Sequence, residues 1–466
     1  MRDYQIKLEP FTFIALKDLK IIQEVNHHAE AELVVRIKDE LQEEYMSTLM
    51  NETWVKITAI DKENEDAAYT ILFHGLVTDF SFDRDGYETI LNLKLKSGSI
   101  LMDLKPHFRV FQNKDASCLS IHQQITGTYQ GRQVVCTAGS EEKTGGTLIQ
   151  YQETDWEFVR RLAGRSGICL VPDVQKKGSG YTIGMPKGTK RVVDNNGIRM
   201  RLDVREYMEK QQNGKPELQL SDMMELVLDS REIFQMGDVI SQQGKDYLVC
   251  GIRTTYQEAE CSHEYTLRTE EALWVLPEER MDLAGSSFDA VITDVKKDKV
   301  QVMIPGDEWK AADGKKWFLY STVYSSPDGT GWYCMPEIGD SVRLYVPEKE
   351  EGSFIISAVH RETDAARQKP DYKSLKTKYG KEILFTPDTI LMTNNQGMMV
   401  EMNDSEGITI TSDKDVVIQA DDNLTIASNS ASLLIAAKDK VQVKQGGTTM
   451  TLSGDISFTG GEFRIQ

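Results

Sequence analysis

The sequence predicts a mainly β protein with a few helices, laid out in three successive regions. Three observations predict it. Short stretches that alternate apolar and polar residues run through roughly the first 280 positions. Five short candidate strands with turn residues between them follow, from about 285 to 362. From about Lys376 onward, pairs of apolar residues separated by one polar residue recur at a spacing of about eight.

In the first region, Trp54-Val-Lys-Ile-Thr-Ala-Ile60 and Ile90-Leu-Asn-Leu-Lys-Leu95 read as half-buried strands. Two segments read as helices, Ala116 to Ile125 and Thr154 to Ala163. The second opens on Glu153-Thr154-Asp155, which is N-cap chemistry, and sets Phe158 and Leu162 four apart on one face. It ends near Gly164 and Gly167.

The second region predicts strands over Ser287–Val295, Lys299–Ile304, Trp317–Val323, Asp340–Val346 and Ser353–His360. Pro305-Gly306, Pro327-Asp-Gly329 and Ile338-Gly339-Asp340 punctuate them. Five short strands in about 80 residues suggest a small, nearly closed barrel such as an OB-fold.

In the third region, Ile408/Ile410, Val416/Ile418 and Leu424/Ile426 fall eight apart. Leu433/Ile435 and Val441/Val443 continue the series after a one-residue slip, and Met450/Leu452 and Ile456/Phe458 follow more loosely. Ile383/Phe385, Ile390/Met392 and Val400/Met402 precede them. A four-residue strand of this pattern points two apolar side chains to one face, and a polar turn then redirects the chain. Two inward residues per layer cannot enclose a core in one chain. Three chains wound about one axis can, as a triangular prism without exposed edges along its length. A single-chain solenoid and an antiparallel meander are the alternatives, and an eight-residue period is too short for a solenoid coil.

The 466 residues carry a formal charge of −19. Three copies would triple it, which argues against nucleic acid and anionic membrane surfaces as partners. No apolar run approaches the roughly 20 residues of a membrane helix, which predicts no stable membrane insertion. The start, MRDYQIKLEP, lacks a signal-peptide core, which predicts synthesis in the cytoplasm. Cys118, Cys136, Cys169, Cys250, Cys261 and Cys334 form no CxxC pair and read as reduced thiols, mostly buried.

The stretch Tyr151-Gln-Glu-Thr-Asp-Trp-Glu-Phe-Val-Arg-Arg-Leu-Ala-Gly-Arg-Ser-Gly-Ile168 resembles the Y-x-E-T/S-D-x-x-F-x-x-R-L-x-E-x-x-G-I signature of the VgrG and phage baseplate spike family, the central spike of contractile injection systems. The matching positions are Tyr151, Glu153, Asp155, Phe158, Arg161, Leu162 and Gly167, with Gly164 where the family commonly has Glu. Phe73-His-Gly-Leu-Val-Thr78, Phe108-Arg-Val-Phe-Gln112, Val300-Gln-Val-Met-Ile304 and Gly352-Ser-Phe-Ile-Ile356 are similar to further family strands. Gly331-Trp-Tyr-Cys-Met-Pro-Glu-Ile-Gly-Asp340 is similar to the family's turn with Pro336, Gly339 and Asp340. The motifs stand in the family's order along nearly the whole chain.

The resemblance implies a homotrimer with an N-terminal pair of tube-like β-domains at 1–284, an OB-fold neck at 285–365 and a C-terminal intertwined triangular β-helix needle at 366–466. The collar would match threefold symmetry to a hexameric inner-tube protein, among other baseplate proteins, and the needle would pierce a target envelope. The rival expectation is a trimeric receptor-binding tail fibre or adhesin. An enzyme is not expected. The seven histidines show no HExxH, HxxEH or HxH spacing, and no GxSxG or Walker loop occurs, so no catalytic, cofactor or metal residue is assigned. No histidine follows His360, so the HxH iron tip of some phage spikes is not expected. Phe463, Ile465 and Gln466 are instead expected to offer a blunt end to a separate PAAR-type tip protein, with effector cargo a further partner.

Overall fold

The computed structural model describes residues 4–62, 69–131, 133–193, 197–242, 244–258, 260–310, 315–360 and 369–459. It forms two compact units, Met1–Arg361 and Glu362–Gln466. No described helix is long and apolar enough to cross a membrane.

The first unit opens with six strands, β1 (Tyr4–Glu9), β2 (Ala15–Glu24), β3 (Glu30–Ile37), β4 (Trp54–Asp61), β5 (Thr70–Asp85) and β6 (Glu88–Lys96), with helix α1 (Gln42–Leu49) after β3. Alternation of buried and exposed positions is strict in β1 and β3. In β3, Ala31, Leu33, Val35 and Ile37 are buried while Glu30 and Glu32 face solvent. β7 (Pro106–Phe111) pairs with the later β9 (Leu148–Thr154). Between them lie α2 (Cys118–Thr126) and β8 (Val134–Cys136). Helix α3 (Asp155–Gly164) follows β9, and β10 (Leu170–Pro172) and β11 (Tyr181–Ile183) join β8 in a small sheet.

A second run follows, with β12 (Lys190–Arg191), β13 (Ile198–Leu202), helix α4 (Val204–Gln212), β14 (Met224–Ser230), β15 (Val239–Gln242), β16 (Lys245–Gln257) and β17 (Glu260–Arg268). It shares one 12-stranded sheet with the first run through the pairing of β2 with β16. The order is β1-β4-β5-β6-β3-β2-β16-β17-β14-β13, with β15 on β16 and β12 on β15.

The five-stranded barrel sheet comprises β18 (Ser287–Lys296), β19 (Lys299–Met303), β20 (Phe318–Leu319), β21 (Ser341–Tyr345) and β22 (Phe354–Ile356). A parallel bridge between Tyr320 and Ile355 brings its two edges together around Ala290, Ile292, Val300, Val302, Phe318 and Leu344. Two strands are shorter than the alternation predicts. The one expected over Trp317–Val323 covers two residues, because Ser321 N–H turns to the Ile355 carbonyl (2.8 Å). The one expected to reach His360 stops at Ile356, because Ser357 adopts a left-handed φ of 45°. Both expected helices form. Ser117 caps α2, accepting from Ser120 N–H at 3.1 Å, so that helix starts at Cys118 and not Ala116. No cysteine is paired; Cys169, Cys250 and Cys261 are buried, Cys118 and Cys136 half-buried, and Cys334 exposed.

In the second unit, β23 (Lys373–Lys376), β24 (Glu382–Phe385), β25 (Thr389–Thr393), β26 (Met399–Asn403) and β27 (Gly407–Thr411) form an antiparallel meander. Its registers align the apolar pairs into two cross-strand rows, Leu375–Ile383–Met392–Val400–Ile410 and Phe385–Ile390–Met402–Ile408. A second meander, β28 (Val441–Gln445), β29 (Thr448–Ser453) and β30 (Asp455–Thr459), holds Val441, Val443, Met450, Leu452, Ile456 and Phe458. In these two stretches the strands pair with each other within one chain, as in the meander alternative. Between them, Val416, Ile418, Leu424, Ile426, Leu433 and Ile435 have no in-chain strand partner and are 53–66% exposed in the single chain. The predicted docking residues Phe463, Ile465 and Gln466 lie outside the described residues.

Candidate functional site

The signature stretch Tyr151–Ile168 forms the end of β9, helix α3 and the turn after it. Thr154 is the N-cap. Its hydroxyl accepts from Glu157 N–H (3.2 Å), and the Glu157 carboxylate accepts from Thr154 N–H (2.9 Å), a reciprocal capping box. Phe158 stacks on Phe111 with ring centres 5.2 Å apart, and Leu162 packs in the same buried cluster. Gly167 closes the helix at a φ of 71°. A Cβ there would sit 1.8 Å from the Trp274 ring nitrogen, so this position needs glycine for space as well as for its backbone.

The polar signature residues build two buried ion clusters. In the first, Arg161 holds both Glu153 oxygens (2.8 and 2.9 Å), reaches Glu350 Oε1 at 2.7 Å and donates to the Ile149 carbonyl at 3.1 Å. Glu350 accepts from Ile149 N–H at 2.7 Å, and Arg280 bonds Glu153 Oε2 at 3.1 Å. Burial disfavours the Arg161 charge, but Glu153 and Glu350 outweigh it and raise its pKa. Burial raises the Glu350 pKa, with Arg161 opposing. In the second cluster, fully buried Asp155 accepts from Arg109 (2.5 Å), Gln150 (2.8 Å) and Tyr129 (2.7 Å). Arg109 also lies 4.2 Å over the Trp309 ring and near Glu308, which bonds His107 at 2.8 Å.

Both clusters join α3 and β7–β9 to the barrel, because Glu350, Glu308 and Trp309 are barrel residues nearly 200 positions from their partners. An aromatic trio completes the joint, with Phe108, Tyr151 and Phe288 ring centres 5.0–5.2 Å apart. The barrel turn motif is local. Pro336 is buried, Gly339 adopts φ 96°, and Asp340 accepts from Glu337 N–H at 2.8 Å. Gly339 N–H and the Asp340 carbonyl both bond Ile292 at 2.9 Å, which starts β21 against β18.

The geometry therefore brings Tyr151, Glu153, Asp155, Phe158, Arg161 and Leu162 together and leaves Pro336, Gly339 and Asp340 at a separate turn. The pattern gave no sign of Arg280, Glu308 or Glu350; nothing in their local spacing marks them, and only tertiary proximity does. The buried carboxylates are saturated by Arg, Gln, Tyr and backbone donors, an arrangement suited to bracing two layers against each other. Among the described residues no group of three or more His, Cys, Asp or Glu could hold a metal ion.

The phage tail baseplate hub (GPD) family model matches residues 55–186, which include β5, α2 and α3. Among curated proteins, none matches. Of solved structures, the E. coli c3393 protein, a component of the type VI secretion system with structural similarity to the T4 bacteriophage tail proteins gp27 and gp5, aligns at 15% identity. That alignment covers 76% of this chain and 100% of that one, with a TM-score of 0.53. The Francisella PdpA-VgrG complex aligns at 10% identity over 88% of each chain, with a TM-score of 0.56. This chain thus has the mainly β fold of VgrG-like spikes and baseplate hubs, the likeness its sequence motifs carry.

Proposed function

We propose that this chain is the structural, non-enzymatic spike of a contractile injection system. As a homotrimer it caps a hexameric inner-tube protein, adapts sixfold to threefold symmetry and pierces a target envelope. The observation that carries the trimer lies in the second unit. The meander of β23–β27 presents rows of apolar residues, with Phe385, Ile390, Met392, Met402, Ile408 and Ile410 39–71% exposed in one chain. The octads after it have no in-chain strand partner. Exposed apolar rows on a repetitive β scaffold call for burial against other strands. Two further copies supply them with threefold closure.

The collar and barrel are braced by the buried clusters of Arg161 and Asp155, so load on the tube-facing sheet passes into the barrel through ion pairs and main-chain bonds. The chain is made in the cytoplasm and leaves it inside an assembled particle alongside other baseplate proteins. A PAAR-type tip protein caps the end near Phe463, Ile465 and Gln466, and effector cargo rides with it. Light scattering of the purified protein tests the trimer. A mass near three times 52.7 kDa is expected, and a stable monomer at micromolar concentration overturns it. Deleting residues 460–466 should abolish co-purification of the tip protein, and undiminished capture would refute tip docking there.

A further inference from the structure

The first unit holds a cavity of about 550 Å³ that none of the ion-cluster residues lines. Its walls come from distant parts of the chain: the turn after α3, the end of β8, the loop Gly184–Gly188 after β11, strands β15 and β16, and the segment Glu270–Trp274 after β17. The volume falls within the roughly 300–1,000 Å³ of sites that hold small ligands.

Close backbone contacts fix these walls. A Cβ on Gly237 would lie 2.0 Å from the Pro186 carbonyl oxygen, and one on Gly188 would lie 2.3 Å from the Asp238 nitrogen. Asp238 in turn accepts from Thr189 N–H at 2.7 Å. Trp274 is clasped between Gly167 and Gly214, where a Cβ would lie 2.7 Å from the ring. Loop and ring are held in place, so the space is preformed.

The interior is apolar. Ile168, Met185, Leu248, Leu273 and Trp274 line it, and all but Leu273 are only half-buried. Cys169 lies in the wall as a neutral thiol, since burial pushes its pKa up to about 11. The polar groups of the wall are already engaged. Gly184, Gly237 and Val239 N–H bond the Cys169, Val249 and Thr189 carbonyls at 2.8, 2.8 and 2.9 Å. The Thr137 hydroxyl donates to the Ile183 carbonyl at 2.8 Å. A peptide or a sugar inside would leave its own polar groups unpaired, whereas an alkyl chain has none to pair.

The charge around the cavity is uneven. Lys187 and Lys215 line it, with Glu270 as the single acid. Nearby cations are neutralised, Arg191 by Asp238 and Lys210 by Glu206, each at 2.8 Å. Lys215 Nζ donates to the Glu271 carbonyl at 3.2 Å, and Lys187 is exposed; neither is in a described ion pair. On a chain of formal charge −19 this is a local positive spot.

We propose that the cavity binds a straight-chain carboxylate, its alkyl chain against Ile168, Met185 and Trp274 and its head at Lys187 and Lys215. The site is complete in one chain and does not depend on the trimer.

The test is calorimetric titration of the full-length protein with dodecanoate below its micelle concentration. One saturable site per chain is expected. Replacing both Lys187 and Lys215 with Glu should weaken it roughly tenfold, and added salt should weaken it in the parent. The exposed apolar rows of the second unit are a competing location. Ala138→Phe fills the cavity from its own wall and should abolish the site, while leaving those rows intact. Photo-cross-linking with a diazirine-bearing dodecanoate locates the site in the parent, and the labelled peptides should contain Ile168, Met185 or Trp274. Absence of saturable binding, labelling confined to other segments, or equal affinity for dodecyltrimethylammonium each overturns the proposal.

Discussion

Residues 373–411 and 412–440 share the same apolar-x-apolar repeat, yet the first folds back on itself and the second does not. The difference lies in the turns. The first stretch places Gly380, Pro387 and Gly397 between its strands and Gly407 at the start of β27. Gly407, at φ 87° with open space about it, reverses the chain between β26 and β27. Residues 412–440 contain neither glycine nor proline, and none of them has positive φ. Their Asp-, Asn- and Ser-rich links redirect the chain without reversing it. The apolar pair gives each segment one apolar face; the turn decides whether the segment meets a strand partner within the chain.

That contrast can be broken by experiment. The largest effect is expected from placing charge in the unpartnered stretch. Replacing Leu424 and Ile426 with Asp should abolish trimer formation, because each would be buried between copies. It should move the melting of the first unit by no more than about 0.5 kcal/mol. Retention of a stable trimer would show that these octads are not a core. The reverse outcome is expected from Arg161→Ala in the first unit. It strips Glu153 and Glu350 of their shared partner and should cost about 3–5 kcal/mol in chemical denaturation, with the second unit unaffected.

A pH titration separates the regions again. Burial holds His122 down to about 3 and His263 to about 4, below the ordinary histidine value, so both stay neutral when folded. The unfolded chain binds those protons first, so stability of the first unit is fully present above pH 6.5. It should fall between pH 6.5 and 4 by about 1.4 kcal/mol per pH unit per histidine. No histidine follows His360, so stability of the second unit should not share that window. The smallest effect is expected from Gly407→Ala, a cost of about 1 kcal/mol from the left-handed backbone alone, read as a small drop in thermal stability of the meander.

Much of the first unit was legible. Alternation located β4, β6 and the barrel strands, and Thr154 announced α3, because these signals are local. The joint was half legible. Glu153, Asp155 and Arg161 stand within one short motif, whereas Glu350, Glu308 and Arg280 become its partners only when the barrel folds against α3. Ser357 ends β22 through a left-handed backbone that its residue type does not announce.

The sequence by itself determined the periodicities: two-residue alternation in the first unit, the capped signature helix and the octads of the second unit. Each follows from side-chain spacing along one segment. Only the tertiary structure decided pairing. It joined the two β runs of the first unit in one sheet through β2 and β16, and it divided the octads into self-paired and unpaired stretches. Strand partners are chosen by edges and registers distant in the chain, and a local pattern cannot encode which distant edge it will meet.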